Sequence, residues 1–375
     1  MRSWRHDLHQ HPEFGFSEHR TASFIADRLR EFKFDEVTEG VGLTGVVGML
    51  KNGTGSRSIA LRADIDGLRI TENNAVSYCS LSPGLMHACG HDGHIAMLLG
   101  AAKWLADEGR FNGTVYFIFQ PAEEWGHGAR AMLSDRLLER FPFTEIYGLH
   151  NWPGLPVGTY ATCYGPLMAA EDIFEIKLTG MGGHASQPHT GHEVLVAASS
   201  LVMNLQTIVS RRIDPSEIAV VSVTEFITDG LRNVLPGEVI LKGDVRSFLT
   251  EVSETIEAEM RQQAAGIALA YGCQVEVKYT REFLPLVNES QATMFALHAA
   301  ANVFRHESVM NQFKPVTVAE DFAQFLKFVP GNFAFIGNGR NSFPLHHALY
   351  DFNDEALIYG ARYFIALVQS RLNTN

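Results

Sequence analysis

Apolar residues at Ala22, Ile25, Leu29 and Phe32 recur at three- and four-residue intervals, which predicts a helix with one face in a core. Two strand-like runs follow, 43–50 and 58–63, joined through Asn52-Gly53, and they read as a hairpin. A loop rich in Ser, Pro, His and Gly then leads to a helix through Met97, Leu98, Ala101, Ala102 and Leu105 and to a strand over 114–119. A helix over about 128–140 and a strand over 144–149 complete this part. Strands alternating with helices predict an α/β fold, a sheet with helices on both faces.

From Glu171 the order changes to strand 172–178, helix 192–212, strands 217–226 and 239–247, helix 252–270 and strand 274–279. That β-α-β-β-α-β order is the one of a ferredoxin-like α+β module. Helix, strand and helix then resume over about 290–305, 332–337 and 354–371. The expected organisation is a discontinuous main domain, 1–168 and 285–375, interrupted by an inserted domain, 169–284.

A chain of 375 residues is long enough for two cores. No stretch approaches the roughly 20 apolar residues of a bilayer span, so no membrane partner is expected. Residues 1–6 pass directly into charged positions without an apolar leader core, and four widely spaced cysteines are too sparse for a disulfide framework. Both features point to a cytoplasmic protein. The net charge of −12 comes without a basic run, which excludes a nucleic-acid partner of the usual electrostatic kind.

More informative is where the histidines and carboxylates fall. Asp64 and Asp66, Glu123 and Glu124, and His150 each lie just beyond an expected strand end, the edge at which open α/β sheets bind ligands. In the run Met86-His87-Ala88-Cys89-Gly90-His91-Asp92-Gly93-His94, Gly90 lets the backbone bend so that a thiolate and an imidazole face one ion. The alternative is a helix start carrying surface histidines. The adjacent carboxylates of Gln120-Pro121-Ala122-Glu123-Glu124 allow one to ligate a metal while the other serves as general base, although an isolated pair of this kind is more often a solvated surface feature. His150 and His346 gain weight only from this collective pattern. The Gly180-Met181-Gly182-Gly183 segment lacks the spacing of a phosphate loop and reads as a tight strand end before His184.

Assembled, these segments resemble the hippurate hydrolase and indole-acetyl-amino-acid hydrolase branch of the aminoacylase and carboxypeptidase-like metallopeptidases. The resemblance rests on Leu8-His9-Gln10-His11-Pro12-Glu13, Arg62-Ala63-Asp64-Ile65-Asp66, the M-H-A-C-G-H-D-G-H run from Met86, Q-P-A-E-E from Gln120 and G-L-H-N-W-P from Gly148. It continues through G-G-H-A-S-Q-P-H from Gly182, A-E-D-F from Ala319 and Y-D-F-N-D from Tyr350, in order over nearly the whole chain. It implies a zinc-exopeptidase-like catalytic domain and an inserted lid and dimerisation domain. It further implies two divalent metal ions, held by Cys89, His91, Glu124, His150 and His346. Glu123 then corresponds to the general base, Asp66 to the residue that orients a ligand, and His184 and Asn233 to substrate contacts. The implied reaction is hydrolysis of the amide of a small N-acyl amino acid by a homodimer. Zinc or manganese are the expected metals, with cobalt or nickel able to serve.

Three positions depart from the family pattern: Arg69 stands where Pro is usual, Trp125 where Gly is common and Ala348 where Pro is usual. None removes a ligand or the base, so they bear on the substrate pocket. Competing readings are a dinuclear dipeptidase or carboxypeptidase, a cysteine hydrolase with Cys89 as nucleophile and His91 or His94 as base, and a non-catalytic binding module.

Overall fold

The structure, a computed structural model, describes residues 1–373. The chain divides into two compact units, one of Met1–Leu167, Val287–Lys314 and the residues from Glu320 onward, the other of Met168–Leu286 and Pro315–Ala319.

Unit 1 begins with helices α1 (Arg2–Gln10) and α2 (His19–Glu31) and strands β1 (Glu36–Val41), β2 (Gly45–Asn52) and β3 (Ser58–Asp64). Helix α3 (His91–Glu108), strand β4 (Gly113–Gln120), helices α4 (Gly128–Ser134) and α5 (Leu137–Arg140) and strand β5 (Ile146–Trp152) follow. Unit 2 holds strand β6 (Ala170–Thr179), helix α6 (Val194–Arg211), strands β7 (Ala219–Thr228) and β8 (Glu238–Ser247), helix α7 (Thr250–Tyr271) and strand β9 (Gln274–Phe283). The chain then returns to unit 1 through α8 (Ser290–Ala301), α9 (Ala323–Leu326), β10 (Gly331–Gly337) and α10 (Leu357–Arg371).

The eight-stranded sheet of unit 1 runs β1-β2-β4-β3-β5-β10 and ends in two short strands, Tyr160–Ala161 and Val309–Met310. Every residue of β3 and β10 is buried, the mark of strands covered on both faces. The tight approaches of Gly48 to Leu29 of α2 and of Gly45 to Met132 of α4 show helices on opposite faces, because positions three apart on a strand point opposite ways. Helix α3 is buried almost all round, as a helix enclosed by others must be. Its Met97, Leu98 and Leu105 join Leu367 and Val368 of α10 and Ile59 and Leu61 of β3 in one core.

The expected hairpin between the runs at 43–50 and 58–63 does not form. β4 lies between them, antiparallel to β2 and parallel to β3, while β2 makes its hairpin with β1. Strands buried on both faces carry no alternation that marks a neighbour, so local pattern could not show this. The helix expected over 128–140 is broken into α4 and α5 by Arg136, whose backbone is left-handed at φ 60°.

In unit 2 a four-stranded antiparallel sheet, β7-β8-β6-β9, is covered by α6 and α7, the ferredoxin-like arrangement. Burial alternates strictly along β8, with one face on the core and one in solvent. Contrary to the sequence reading, α6 does have the length and mean hydropathy (1.3) of a bilayer span. Its buried residues Ala197, Leu201, Leu205 and Ile208 belong to the core of unit 2.

Candidate metal centre

Strands β3, β4 and β5 are parallel, with Asp64 in register with Gln120, so their carboxyl ends open at one edge of the sheet. Asp64 closes β3, the Glu123-Glu124 turn follows β4, and His150 lies near the end of β5. The fourth contributor is the start of α3, where Gly90 adopts φ 95° and His91 is the first helical residue. A Cβ on Gly90 would collide with Asn151 and Tyr350. Asn151 donates from Nδ2 to the Cys89 carbonyl at 2.6 Å, and the Tyr350 hydroxyl donates to Asn151 Oδ1, which together clamp the loop carrying the thiol.

The N-terminal segment braces the same loops from behind. Arg5 and His9 of α1 bond Asp92, each at 2.8 Å, in a buried ion cluster next to His91. Glu18 accepts from Ala122 N at 2.9 Å and from the Thr44 hydroxyl at 2.6 Å, which pins the turn bearing both glutamates. That turn is entered through Ala122 at φ 47°, and His346 also holds a left-handed backbone at φ 63°. Such conformations persist only where the surrounding structure enforces them.

Cys89, His91, Glu124, His150 and His346 come together. Cys89 Sγ lies 3.4 Å from His150 Nε2, His91 Nε2 lies 3.9 Å from Glu124 Oε1, and His346 Nε2 lies 3.2 Å from Glu124 Oε2. Donor atoms of Cys89, His91 and Glu124 fall within 4.8 Å of one another, as do those of Asp64, His91, His94 and His150.

Hydrogen bonding separates available donors from engaged ones. His91 Nδ1 faces the Asp66 carbonyl at 2.9 Å and His150 Nδ1 faces the Asn151 carbonyl at 2.7 Å. A carbonyl only accepts, so each ring carries a proton on Nδ1 and turns Nε2 toward the pocket, the orientation a metal ligand needs. By contrast His94 is engaged at both nitrogens, by Asp64 Oδ1 at 2.6 Å and by the Asn151 N–H at 3.0 Å. Asp64 is likewise committed, its Oδ2 bound by Arg62 at 2.7 Å. Both therefore support the site, while His91 Nε2 and Glu124 Oε1 remain buried without a hydrogen-bond partner.

Charge points the same way. Asp64, Asp66, Glu123, Glu320 and Asp321 are buried and Glu124 nearly so, and Arg62 pairs with only Asp64, Glu320 and Asp321 among them. Uncompensated buried carboxylates are costly. Burial lowers the affinity of His91 for a proton, but Asp64, Asp66 and Glu124 outweigh it and lift the ring to about 10, so the pocket demands positive charge at this atom. Burial and the charges of Glu124, Glu123 and Asp64 push the Cys89 thiol well up. A nucleophilic cysteine needs the opposite, electropositive surroundings, which disfavours the cysteine-hydrolase reading. The donor set, two orphaned atoms and excess negative charge fit divalent cations of the kind bound by thiolate, imidazole and carboxylate.

Glu123 has a carboxylate oxygen within 4.8 Å of oxygens of Glu320 and Asp321, and its Oε2 lies 4.0 Å from His91 Nε2. Burial and these like charges raise its carboxyl well above the usual range. Asp66 bonds His91 Nδ1 through Oδ1 at 3.1 Å and accepts the Glu124 N–H through Oδ2 at 3.1 Å, linking two of the donor residues. His184 and Asn233 belong to unit 2. There Ala185 N donates to the Asn233 carbonyl at 3.1 Å, and His184, exposed, meets Ser186 Oγ through Nδ1 at 2.8 Å. Sequence reasoning gave His94 a role only as a base in the cysteine-hydrolase alternative, and none to Arg62, Glu320, Tyr350 or Asn151 beyond their place in the matching segments. The signal for Arg62 was present, since a charge inside an otherwise mostly apolar, buried strand requires partners.

The chain matches the sequence profile of Peptidase family M20/M25/M40 over residues 60–370. It is 38% identical over 366 residues to a hippurate hydrolase of Campylobacter jejuni, covering 97% of this chain and 94% of that one. It is also 38% identical to an N-acetylcysteine deacetylase of Bacillus subtilis, with 99% and 96% covered. A solved Bacillus subtilis structure described as a dinuclear metal binding peptidase of the M20 family superposes with a TM-score of 0.88 at 34% identity, covering 100% of this chain and 98% of that one. With the profile spanning most of its length and relatives matched nearly end to end, this chain belongs to peptidase family M20/M25/M40.

Proposed function

We propose that this amidohydrolase splits the amide bond of an N-acyl amino acid, using two divalent cations held by Cys89, His91, Glu124, His150 and His346. The observation that carries the reading is the pair of buried atoms His91 Nε2 and Glu124 Oε1, both without a hydrogen bond and set 3.9 Å apart in a pocket with surplus negative charge. The relatives named as hippurate hydrolase and N-acetylcysteine deacetylase support the substrate class. Cations bound there supply Lewis acidity and lower the pKa of a water toward neutrality.

The chain's own residues do the rest. Glu123, made basic by burial and its like-charged neighbours, takes the water proton on its carboxylate and returns it to the departing amine nitrogen. Asp66 fixes the ring of His91 and the backbone of Glu124. His184 and Asn233 are the proposed substrate contacts from unit 2. The thiolate of Cys89 favours zinc, with manganese, cobalt and nickel as the competing ions. The four free thiols support a reducing, cytoplasmic compartment.

Chelation should abolish activity, and reconstitution with zinc, manganese, cobalt or nickel should restore cleavage of benzoyl- and acetyl-amino acids in preference to free dipeptides. Full activity in metal-free protein, or preference for dipeptides, would falsify this reading. A homodimer through unit 2 is also proposed, because edge strand β7 exposes Val220, Phe226 and Ile227, and α6 exposes Leu195, Val196 and Met203. A sedimentation mass of one chain would count against it.

A further inference from the structure

Two of the three departures from the family pattern meet at one place in unit 1. Trp125 follows Glu124 on the same short turn and is 45% exposed. Its ring meets Phe14 at 4.7 Å between centroids and an interplanar angle of 79°, and the other neighbour of Phe14 is Arg69, whose guanidinium carbon lies 4.0 Å from the ring centre. The array is tied to the metal centre by backbone. Phe14 bridges Gly67, next to Asp66, and Gly67 N donates to the Glu13 carbonyl at 2.7 Å. A Cβ on Gly15 would lie 3.0 Å from Ala122 Cβ and 3.3 Å from the indole, so the glycine lets this segment pack closely on the turn that carries Trp125.

Arg69 is exposed and, among the described residues, has no carboxylate or hydrogen-bond partner, in a chain of net charge −12. Stacked on Phe14, its planar fork keeps its N–H edges free for an anion, a geometry suited to a carboxylate. The half-open indole offers a surface to a flat ring.

We propose that Trp125, propped by Phe14, and Arg69 form a specificity element beside the metal centre that selects a planar aromatic acyl group bearing an anionic substituent. This deepens the amidohydrolase reading and rests on it for the identity of the scissile bond. The test compares kcat/KM of the metal-loaded enzyme for N-acetylglycine, N-benzoylglycine and N-(4-carboxybenzoyl)glycine. In W125A the benzoyl-to-acetyl ratio should fall about two- to tenfold, the equivalent of one aromatic pair, and W125F should keep most of it. In R69Q the carboxybenzoyl-to-benzoyl ratio should fall about two- to fivefold, as an exposed ion pair allows.

Calorimetric binding of acetate, benzoate and terephthalate reads the same ranking without turnover. Unchanged ratios, or an equal loss for all three substrates, overturn the proposal. Turnover without the Trp125-dependent ranking removes the specificity element and leaves the amidohydrolase reading standing. Ranked, Trp125-dependent binding with no turnover of any conjugate does the reverse.

Discussion

Replacing Glu123 with glutamine is expected to lower kcat by about 10²- to 10⁴-fold, the usual worth of a positioned general base. The substitution keeps the shape of the side chain and removes its ability to hold a proton. Because glutamine keeps the side-chain shape and Glu123 is not among the assigned ligands, metal content measured by elemental analysis should match that of the unaltered enzyme. KM should change far less than kcat, since the proton moves during the chemical step. Near-full activity with metal bound would remove Glu123 from the mechanism. Loss of metal together with activity would instead make it a ligand.

The second large effect concerns Arg62, which is buried and bonds Gln120, Asp64 and Glu320 at 2.7 to 2.9 Å and Asp321 at 3.3 Å. R62M removes the positive charge while keeping an unbranched side chain. Three carboxylates then lose their counter-charge, a change worth about 3–5 kcal/mol when one partner of a buried pair is deleted. Chemical denaturation should show an earlier transition for R62M. Burial and the Glu320 charge hold the Asp321 carboxyl up at about 8 even against Arg62, so this group takes up a proton on folding near neutrality. A raised folded pKa gives a contribution that is complete at low pH and disappears as pH rises through about 8. The penalty of R62M should therefore shrink as pH is lowered and the orphaned carboxyls are neutralised. A transition indistinguishable from the unaltered protein at pH 8 would show that the cluster contributes nothing to stability.

Much of the architecture was readable because it is written in short-range periodicity. The six elements of unit 2 fall close to their expected places, as with the strand expected over 172–178 and found at Ala170–Thr179. Burial alternates along β6 and β8, and that alternation is what the sequence displays. The hairpin expected between 43–50 and 58–63 failed for the complementary reason. β2 and β3 are buried on both faces, so their composition marks them as strands but does not say that β4 inserts between them. At Arg136 a left-handed residue split a helix whose apolar pattern continues across the break.

The site divides along the same line. Residue types at strand ends, the bend at Gly90 and the paired glutamates belong to the sequence, because each expresses chemistry within a few residues. Which atoms remain available was decided by tertiary contacts. His91 and His94 lie on the same turn of α3, yet Asp64 and the Asn151 N–H consume both nitrogens of His94 while Asp66 leaves Nε2 of His91 open. The linkage of Arg62 to Glu320 spans 258 positions, a separation at which no local pattern carries information. Local chemistry nominated the donors, and long-range hydrogen bonding chose among them, because a lone pair is free to bind a cation only where the fold leaves it without another partner.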